Sequence, residues 1–177
     1  MKKTALSFLR TLYVAAPKGC LQYYKGISGT VESFNFQGNM TTYEGTPQIA
    51  ELKYAACVEK VDGYCGIAWE RNTAVGDMSF TVSGNANTLS PGLIGTLDAS
   101  ATGTADCIDD YVIIPGGVVS SGIIADRYCG LGFPIRVYST HQPFTLYTVT
   151  DDNEMPDSAG TTGTNGGFSL NYQQITC

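Results

Sequence analysis

The 177-residue chain carries 10 Lys and Arg against 16 Asp and Glu, a net charge of −6, with 43% hydrophobic and 15% charged residues. That composition supports a domain with a real core and excludes wholesale disorder. No apolar run approaches the roughly 18 residues of a membrane-spanning helix, and the chain, with 21 Gly and 7 Pro, has no long Ala/Leu/Glu/Lys stretch for a helix bundle.

Charge divides the chain. Residues 1–18 hold Lys2, Lys3, Arg10 and Lys18 and no acid, whereas residues 19–177 hold 6 basic against 16 acidic groups, a net of −10. The first segment has the basic start and the small closing residues of a secretion leader, but Arg10 splits its apolar part. Leu6, Leu9 and Tyr13 fall at helical spacing, and Ala5, Phe8 and Leu12 widen that face. Residues 1–18 are therefore read as a basic N-terminal docking segment or processing remnant, and residues 19–177 as the domain. The domain lacks the clustered Lys and Arg of a phosphate-binding surface, which argues against nucleic acid as a partner. Its acidity suits cations, calcium included.

From Gly19 onward short apolar runs alternate with turn signals. Residues 31–36 alternate and stop at Gly38, as a half-buried strand does. The runs 53–60 and 64–70 flank Val61-Asp62-Gly63 and predict a hairpin on an Asp-Gly turn. Residues 78–83 read as a strand ending at Gly84. Residues 111–114 form a continuous apolar run closed by Pro115-Gly116-Gly117, the pattern of a buried strand. Residues 134–139 and 144–150 add two more. Residues 167–173 end the set, with Phe168, Leu170 and Tyr172 on one face. The stretches 84–106 and 151–166 read as long loops. Eight or nine such strands predict an all-β, two-sheet antiparallel sandwich with a short N-terminal extension.

Cysteine use sets the compartment. Cys20, Cys57, Cys65, Cys107, Cys129 and Cys177 are even in number and widely spaced, with no C-x-x-C pair and only one histidine. That excludes the usual zinc frameworks and predicts three disulfides in an oxidising, extracellular setting. Spacing alone leaves fifteen connectivities open. Asn39-Met40-Thr41 is a glycosylation acceptor beside Gly38.

Taken in order, several segments resemble the CUB domain. Cys20 followed by Ser28-Gly29-Thr30-Val31-Glu32-Ser33-Phe34-Asn35-Phe36 is similar to the family's opening cysteine and "G-x-I-x-S-P-N-Y" strand, with Phe34 at the proline. Cys107-Ile108-Asp109-Asp110-Tyr111-Val112-Ile113-Ile114 resembles its "C-x-x-D-x-l-x-i" strand, and Arg127-Tyr128-Cys129-Gly130 its "x-x-C-G" signature. Residues 144–151 resemble the strand that ends in Thr/Ser-Asp, and Gly167-Phe168-Ser169-Leu170-Asn171-Tyr172 the closing "G-F-x-a-x-Y" strand. The opening Cys20-Leu21-Gln22-Tyr23-Tyr24 and the run 111–117 are most similar to the CUB-like domain of arthropod extracellular proteins. The resemblance covers residues 19–177. It implies a CUB-like jelly roll of two packed five-stranded sheets and a Cys107–Cys129 bridge. It also implies Cys20–Cys57, which leaves Cys65–Cys177 for the last pair. The pairing of Cys57 with Cys65 and of Cys20 with Cys177 stays open as the alternative.

The resemblance also implies a calcium site at one loop end, with Asp110 and Asp151 at two of the family's carboxylate positions. Its glutamate position falls at Ser83-Gly84, which carries no acid, and Asp109 and Asp152 stand beside the matched positions rather than on them. The competing reading has Asp110 and Asp151 accepting backbone amides of tight loops. Little supports an enzyme: His141 stands alone beside Gln142-Pro143, and no nucleophile elbow, zinc-protease motif, phosphate loop or paired acid stands out. Trp69 reads as core. Tyr23, Tyr24, Tyr43 and Tyr54 are candidate surface tyrosines of the kind favoured at interfaces. The sequence reading is a secreted, non-catalytic module for protein interaction or self-assembly. A calcium-dependent binder of protein or carbohydrate is the alternative, and a secreted hydrolase the third.

Overall fold

The computed structural model describes residues 16–36, 48–84, 89–90, 92–152 and 165–177. The described strands are β1 (Cys20–Tyr24), β2 (Ser28–Glu32), β3 (Lys53–Val58), β4 (Tyr64–Arg71), β5 (Phe80–Thr81), β6 (Ser100–Thr102), β7 (Tyr111–Ile113), β8 (Val118–Val119), β9 (Arg127–Gly130), β10 (Val137–Ser139), β11 (Phe144–Val149) and β12 (Gly167–Thr176). One sheet runs β1-β3-β11-β7-β9-β6. The other runs β2-β12-β4-β10-β8, with β5 added to the start of β12. Among the described strands only β1 and β3 pair in parallel. Asn39 and Tyr43 lie outside the described residues, as does most of the segment 1–18.

Period-2 patterning builds the core. On β12, Phe168, Leu170 and Tyr172 point inward while Asn171 and Gln173 point out. Trp69 and Ile67 of β4, Val31 of β2 and Val137 of β10 line the same layer. Ala56 and Val58 of β3, Phe144 and Leu146 of β11, Val112 of β7 and Tyr128 of β9 face them from the other sheet. Trp69 is fully buried, its ring centroid 5.9 Å from that of Tyr172. Phe133 stands 5.0 Å from Phe80 and 5.5 Å from Tyr128, filling one end of the core. The result is the sandwich that the alternating runs predict.

The strand boundaries differ from the sequence reading in instructive places. The predicted 53–60/64–70 hairpin does not form, because β3 and β4 lie in different sheets: β3 pairs with β1 and β11, β4 with β12 and β10. Asp62-Gly63 does turn the chain, with Gly63 at φ +86°, but the turn is a corner between layers. Its polar groups are met by the end of β12: Cys177 N donates to Gly63 O at 3.0 Å, and Val61 N donates to Gln174 Oε1 at the same distance. The strand read over 31–36 stops at Glu32. There Ser33 Oγ takes the amide of Phe168 at 3.0 Å, and Asn35 enters the left-handed region at φ +62°. Within the stretch read as the loop 84–106, β6 adds an edge strand to β9. The strand read over 78–83 shortens to β5 behind a single 3-10 turn, and 134–139 shortens to β10.

Three disulfides form, each within one sheet or its flank, and no free cysteine remains: Cys20–Cys57, Cys65–Cys177 and Cys107–Cys129, with Cα separations of 5.7, 5.0 and 5.6 Å. The first crosses the parallel β1–β3 pair. The second joins the start of β4 to the chain's last residue, where Thr176 already faces Tyr64 in the ladder. The third ties the segment before β7 to β9.

Candidate binding surface at one end of the sandwich

Register places the starts of β3 and β7 and the end of β11 together, since Lys53 and Tyr111 both face Val149. The segments leading into and out of these strands share one end of the sandwich. Buried polar side chains hold them. Asp110 is 4% exposed and its Oδ1 accepts the amide of Asp151 at 2.9 Å. The carbonyl of Asp151 accepts the amide of Glu51 at 2.7 Å. Thr150 Oγ1 accepts from Leu52 N and donates to Ile49 O, each at 2.8 Å. Gln48, also buried, donates from Nε2 to Val82 O at 3.0 Å, and its amide donates to Asn165 O at 3.2 Å, which joins the end of β5 to the approach to β12. Unmet, such groups would each cost about 1–3 kcal/mol once buried, so the ties fix the segments in place.

Around these ties the surface is apolar and acidic. Ile108 is 65% exposed and Ile49 43%, with Asp109 and Asp152 exposed beside the buried Asp110 and the half-buried Asp151. The structure thus brings Asp110 and Asp151 together, through a side chain and a backbone amide. It does not add Ser83 as a third oxygen donor of carboxylate type: Ser83 Oγ accepts the amide of Gly130 at 3.0 Å. Among the described residues no group of three or more His, Cys, Asp or Glu is placed to hold a metal ion. Calcium takes about six to eight oxygens, several from carboxylates. Two carboxylates, one with an oxygen committed to a backbone amide, fall short of that set, so no step through calcium is derived.

His141 is exposed, and only its backbone meets Ser139: the His141 amide donates to Ser139 Oγ at 3.1 Å, while that hydroxyl donates to Pro115 O at 2.5 Å. The serine proton is therefore spent on a carbonyl, with no imidazole at the oxygen. Tyr54, read as a surface tyrosine, is buried at 8% exposure. Its ring lies 4.8 Å from Phe34, and burial pushes its phenol above the usual range. Tyr24 packs against the core and Tyr23 is half-buried. Sequence reasoning missed Gln48 and Gln174, since an isolated glutamine carries no local signal for a tie made across 34 residues or more.

Sandwich topology, three bridges and this loop end define an animal CUB-type module. A profile of the animal CUB domain matches residues 17–175, so the chain belongs to that family. Two similar solved structures are the CUB1-EGF-CUB2 domains of rat MASP-1, at 13% identity and TM-score 0.50, and those of human MASP-1/3, at 13% identity and TM-score 0.53. Each alignment covers 88% of this chain, which spans only 41% and 42% of the respective structures. At that identity the likeness is one of fold. A third, the MASP-1 CUB2 domain bound to Ca2+, aligns at 14% identity and TM-score 0.48, over 87% of this chain and 98% of that one. No curated protein matches the chain. CUB domains are commonly extracellular, disulfide-bonded and non-catalytic, and mediate protein interactions. Among the described residues no helix is long and apolar enough to cross a membrane.

Proposed function

We propose that this chain is a secreted, non-catalytic binding module that grips a protein partner through the loop end built on Asp110, Thr150 and Gln48. The observation that carries the reading is the exposed Ile108, at 65%, standing on a segment whose next carboxylate but one, Asp110, is buried and hydrogen-bonded. Exposed apolar side chains on a rigid support lose little entropy on contact, which is what a docking residue needs. Asp109 and Asp152 beside it favour a partner with a basic face. The test places a photo-crosslinking residue at Ile108 or at Tyr147, on the outer sheet face, in the full chain mixed with extracellular fluid. The reading expects one specific adduct from position 108 alone, and binding of the captured protein reduced at least tenfold by Ile108→Asp. Equal adducts from both positions, or binding indifferent to Ile108→Asp, reject it.

The charge division supports a second role, self-assembly, in which the basic segment 1–18 docks on the acidic domain of a neighbouring copy. Sedimentation of the full chain with Lys2→Glu, Lys3→Glu and Arg10→Glu tests it. Assembly should be lost in that variant and weakened by salt in the natural chain. A monomer at every concentration and salt rejects it.

A further inference from the structure

The outer face of the β2-β12-β4-β10 sheet carries a row of linked polar side chains that the loop-end reading leaves unused. The ladder sets Thr30 opposite Asn171 and Asn171 opposite Glu70, and Arg136, one residue before β10, faces Glu70 in turn. Each neighbour pair is tied except the central one: Thr30 Oγ1 donates to Asn171 Oδ1 at 2.8 Å, and Arg136 forms a salt bridge with Glu70. Arg136 also reaches the Tyr138 hydroxyl at 3.4 Å and lies 5.8 Å from that ring's centroid. The next row runs Ser28, Gln173, Ala68, Tyr138. Ala68 is the short residue of that row, so the sheet surface sinks between Gln173 and Tyr138. Two adjoining hollows share Ala68 and Gln173, each about 400 Å³.

The lining specifies the ligand. Its one ion pair, Glu70–Arg136, is neutralised internally, and the other polar groups are uncharged hydroxyls and amides. The Asn171 Nδ2 donors, the Gln173 amide and the Ser28 hydroxyl have no hydrogen-bond partner among the described residues, and all three side chains are exposed. Asn171 is oriented by Thr30, so its donors are held in place before any ligand arrives. Tyr138, 36% exposed and braced by Arg136, offers a flat ring at the edge of the trough. An aromatic platform beside unpaired amide donors and acceptors, with no net charge, fits a chain of hydroxyls with apolar C–H faces. The hollows fall within the roughly 300–1,000 Å³ range of small-ligand sites. We infer that this trough binds a neutral oligosaccharide, with Tyr138 stacking on a sugar ring, Asn171 and Gln173 hydrogen-bonding its hydroxyls, and Ala68 leaving the space it occupies. The site is on the sheet face, not on the loops, so it stands or falls separately from the protein-docking reading.

The test uses the full chain, isotope-labelled, titrated to millimolar concentrations with cellohexaose, laminarihexaose, maltohexaose, chitohexaose and a heparin-derived hexasaccharide. At least one neutral hexasaccharide should shift the side-chain amide signals of Asn171 and Gln173 saturably. Tyr138→Ala should weaken that binding at least tenfold, and Ala68→Arg, which fills the trough, should abolish it. Asn171→Ala, an exposed change that leaves the core untouched, should weaken it as well and keeps the test open if either other variant misfolds. No saturable shift with any neutral sugar overturns the inference, as do shifts that survive Tyr138→Ala and Asn171→Ala in folded protein. Preferential binding of the sulfated hexasaccharide would reassign the trough to an anionic ligand and overturn it too.

Discussion

Gln174 and Val61 meet at 3.0 Å, the side-chain Oε1 of the first accepting the amide of the second. The same side chain is 3% exposed and donates from Nε2 to Gly26 O and to Glu59 O, each at 2.8 Å. One residue near the end of β12 thus satisfies three backbone groups from the β1–β2 and β3–β4 connections, at the end of the sandwich opposite Asp110. Gln174→Ala removes the partner of all three part-buried groups at once, and should cost about 1–3 kcal/mol. Gln174→Glu keeps the size and the acceptor for Val61 but replaces the Nε2 donor with an oxygen facing the Gly26 and Glu59 carbonyls, and should be at least as costly above the carboxylate range. Urea unfolding of both variants checks this; a loss below about 0.5 kcal/mol for Gln174→Ala would mean the loops are not held by this residue.

Asp110 separates the two readings of its carboxylate. As a tie for the Asp151 amide it should tolerate Asp110→Asn, which keeps an acceptor oxygen, better than Asp110→Ala, which should lose about 1–3 kcal/mol because the acceptor of a part-buried amide is removed. The order of the two variants in thermal melts is the readout. Calcium titration by calorimetry should give the same trace for the natural chain and for Asp110→Ala if the carboxylate serves only as that tie. A saturable heat absent from Asp110→Ala would restore the calcium reading.

Alkaline pH should destabilise the protein through its buried phenols. Tyr128 is fully buried and donates to Ala125 O at 2.5 Å; burial first, and the nearby Asp126 second, push its ionisation upward. Tyr24, Tyr54 and Tyr172 are raised too, chiefly by burial. A folded value above the unfolded one of about 10 means the folded state holds its proton longer. The stabilising contribution is therefore complete below about pH 10 and is lost as pH climbs beyond it. Unfolding free energy should be flat in this respect to pH 9 and fall steeply by pH 11. Tyr128→Phe should cost about 1 kcal/mol at neutral pH and reduce the alkaline slope. An unchanged slope would place the loss elsewhere.

How far the sequence reveals this fold depends on the range of the interaction that decides each feature. The alternation of Phe168, Leu170 and Tyr172 is local, and the structure follows it. The Asp62-Gly63 turn is local as well, but whether the next strand folds back or crosses to the other layer is decided by Gln174 and Cys177, more than 110 residues away. The same holds at the loop end. Asp110 and Asp151 can be named from their motifs, whereas Gln48 and Thr150 matter only once β3 lies beside β11. The row from Thr30 to Arg136 is invisible before register is known, because its first bond alone spans 141 residues. Tyr54 reads as a surface residue because it stands beside Lys53 in a short strand, but β3 is covered by both β1 and β11 and its pattern is buried almost throughout.

The Cys65–Cys177 bridge should carry more of the folding stability than either of the others. It closes a separation of 112 residues, against 37 for Cys20–Cys57 and 22 for Cys107–Cys129. By loop entropy the longest closure is worth about 4.7 kcal/mol and the shortest near 3. Position strengthens the argument, because Cys177 directly follows β12, the strand that pairs with β2, β4 and β5 and so organises its whole sheet. Without the bridge the last residues depend on backbone bonds such as Cys177 N to Gly63 O, at an end where Ile175 and Thr176 are exposed. Fraying there would loosen Gln174 next and with it both loops that it holds. Replacing both cysteines by serine should therefore lower the unfolding free energy by several kcal/mol. It should also speed hydrogen exchange at Val61, Tyr64 and Gln174, whose amides donate within this network, before it affects β7 or β9. The matching Cys107→Ser, Cys129→Ser pair should cost less and leave those three amides protected. If the two double variants unfold at the same urea concentration with the same exchange pattern, the C-terminal bridge has no special place in the sheet.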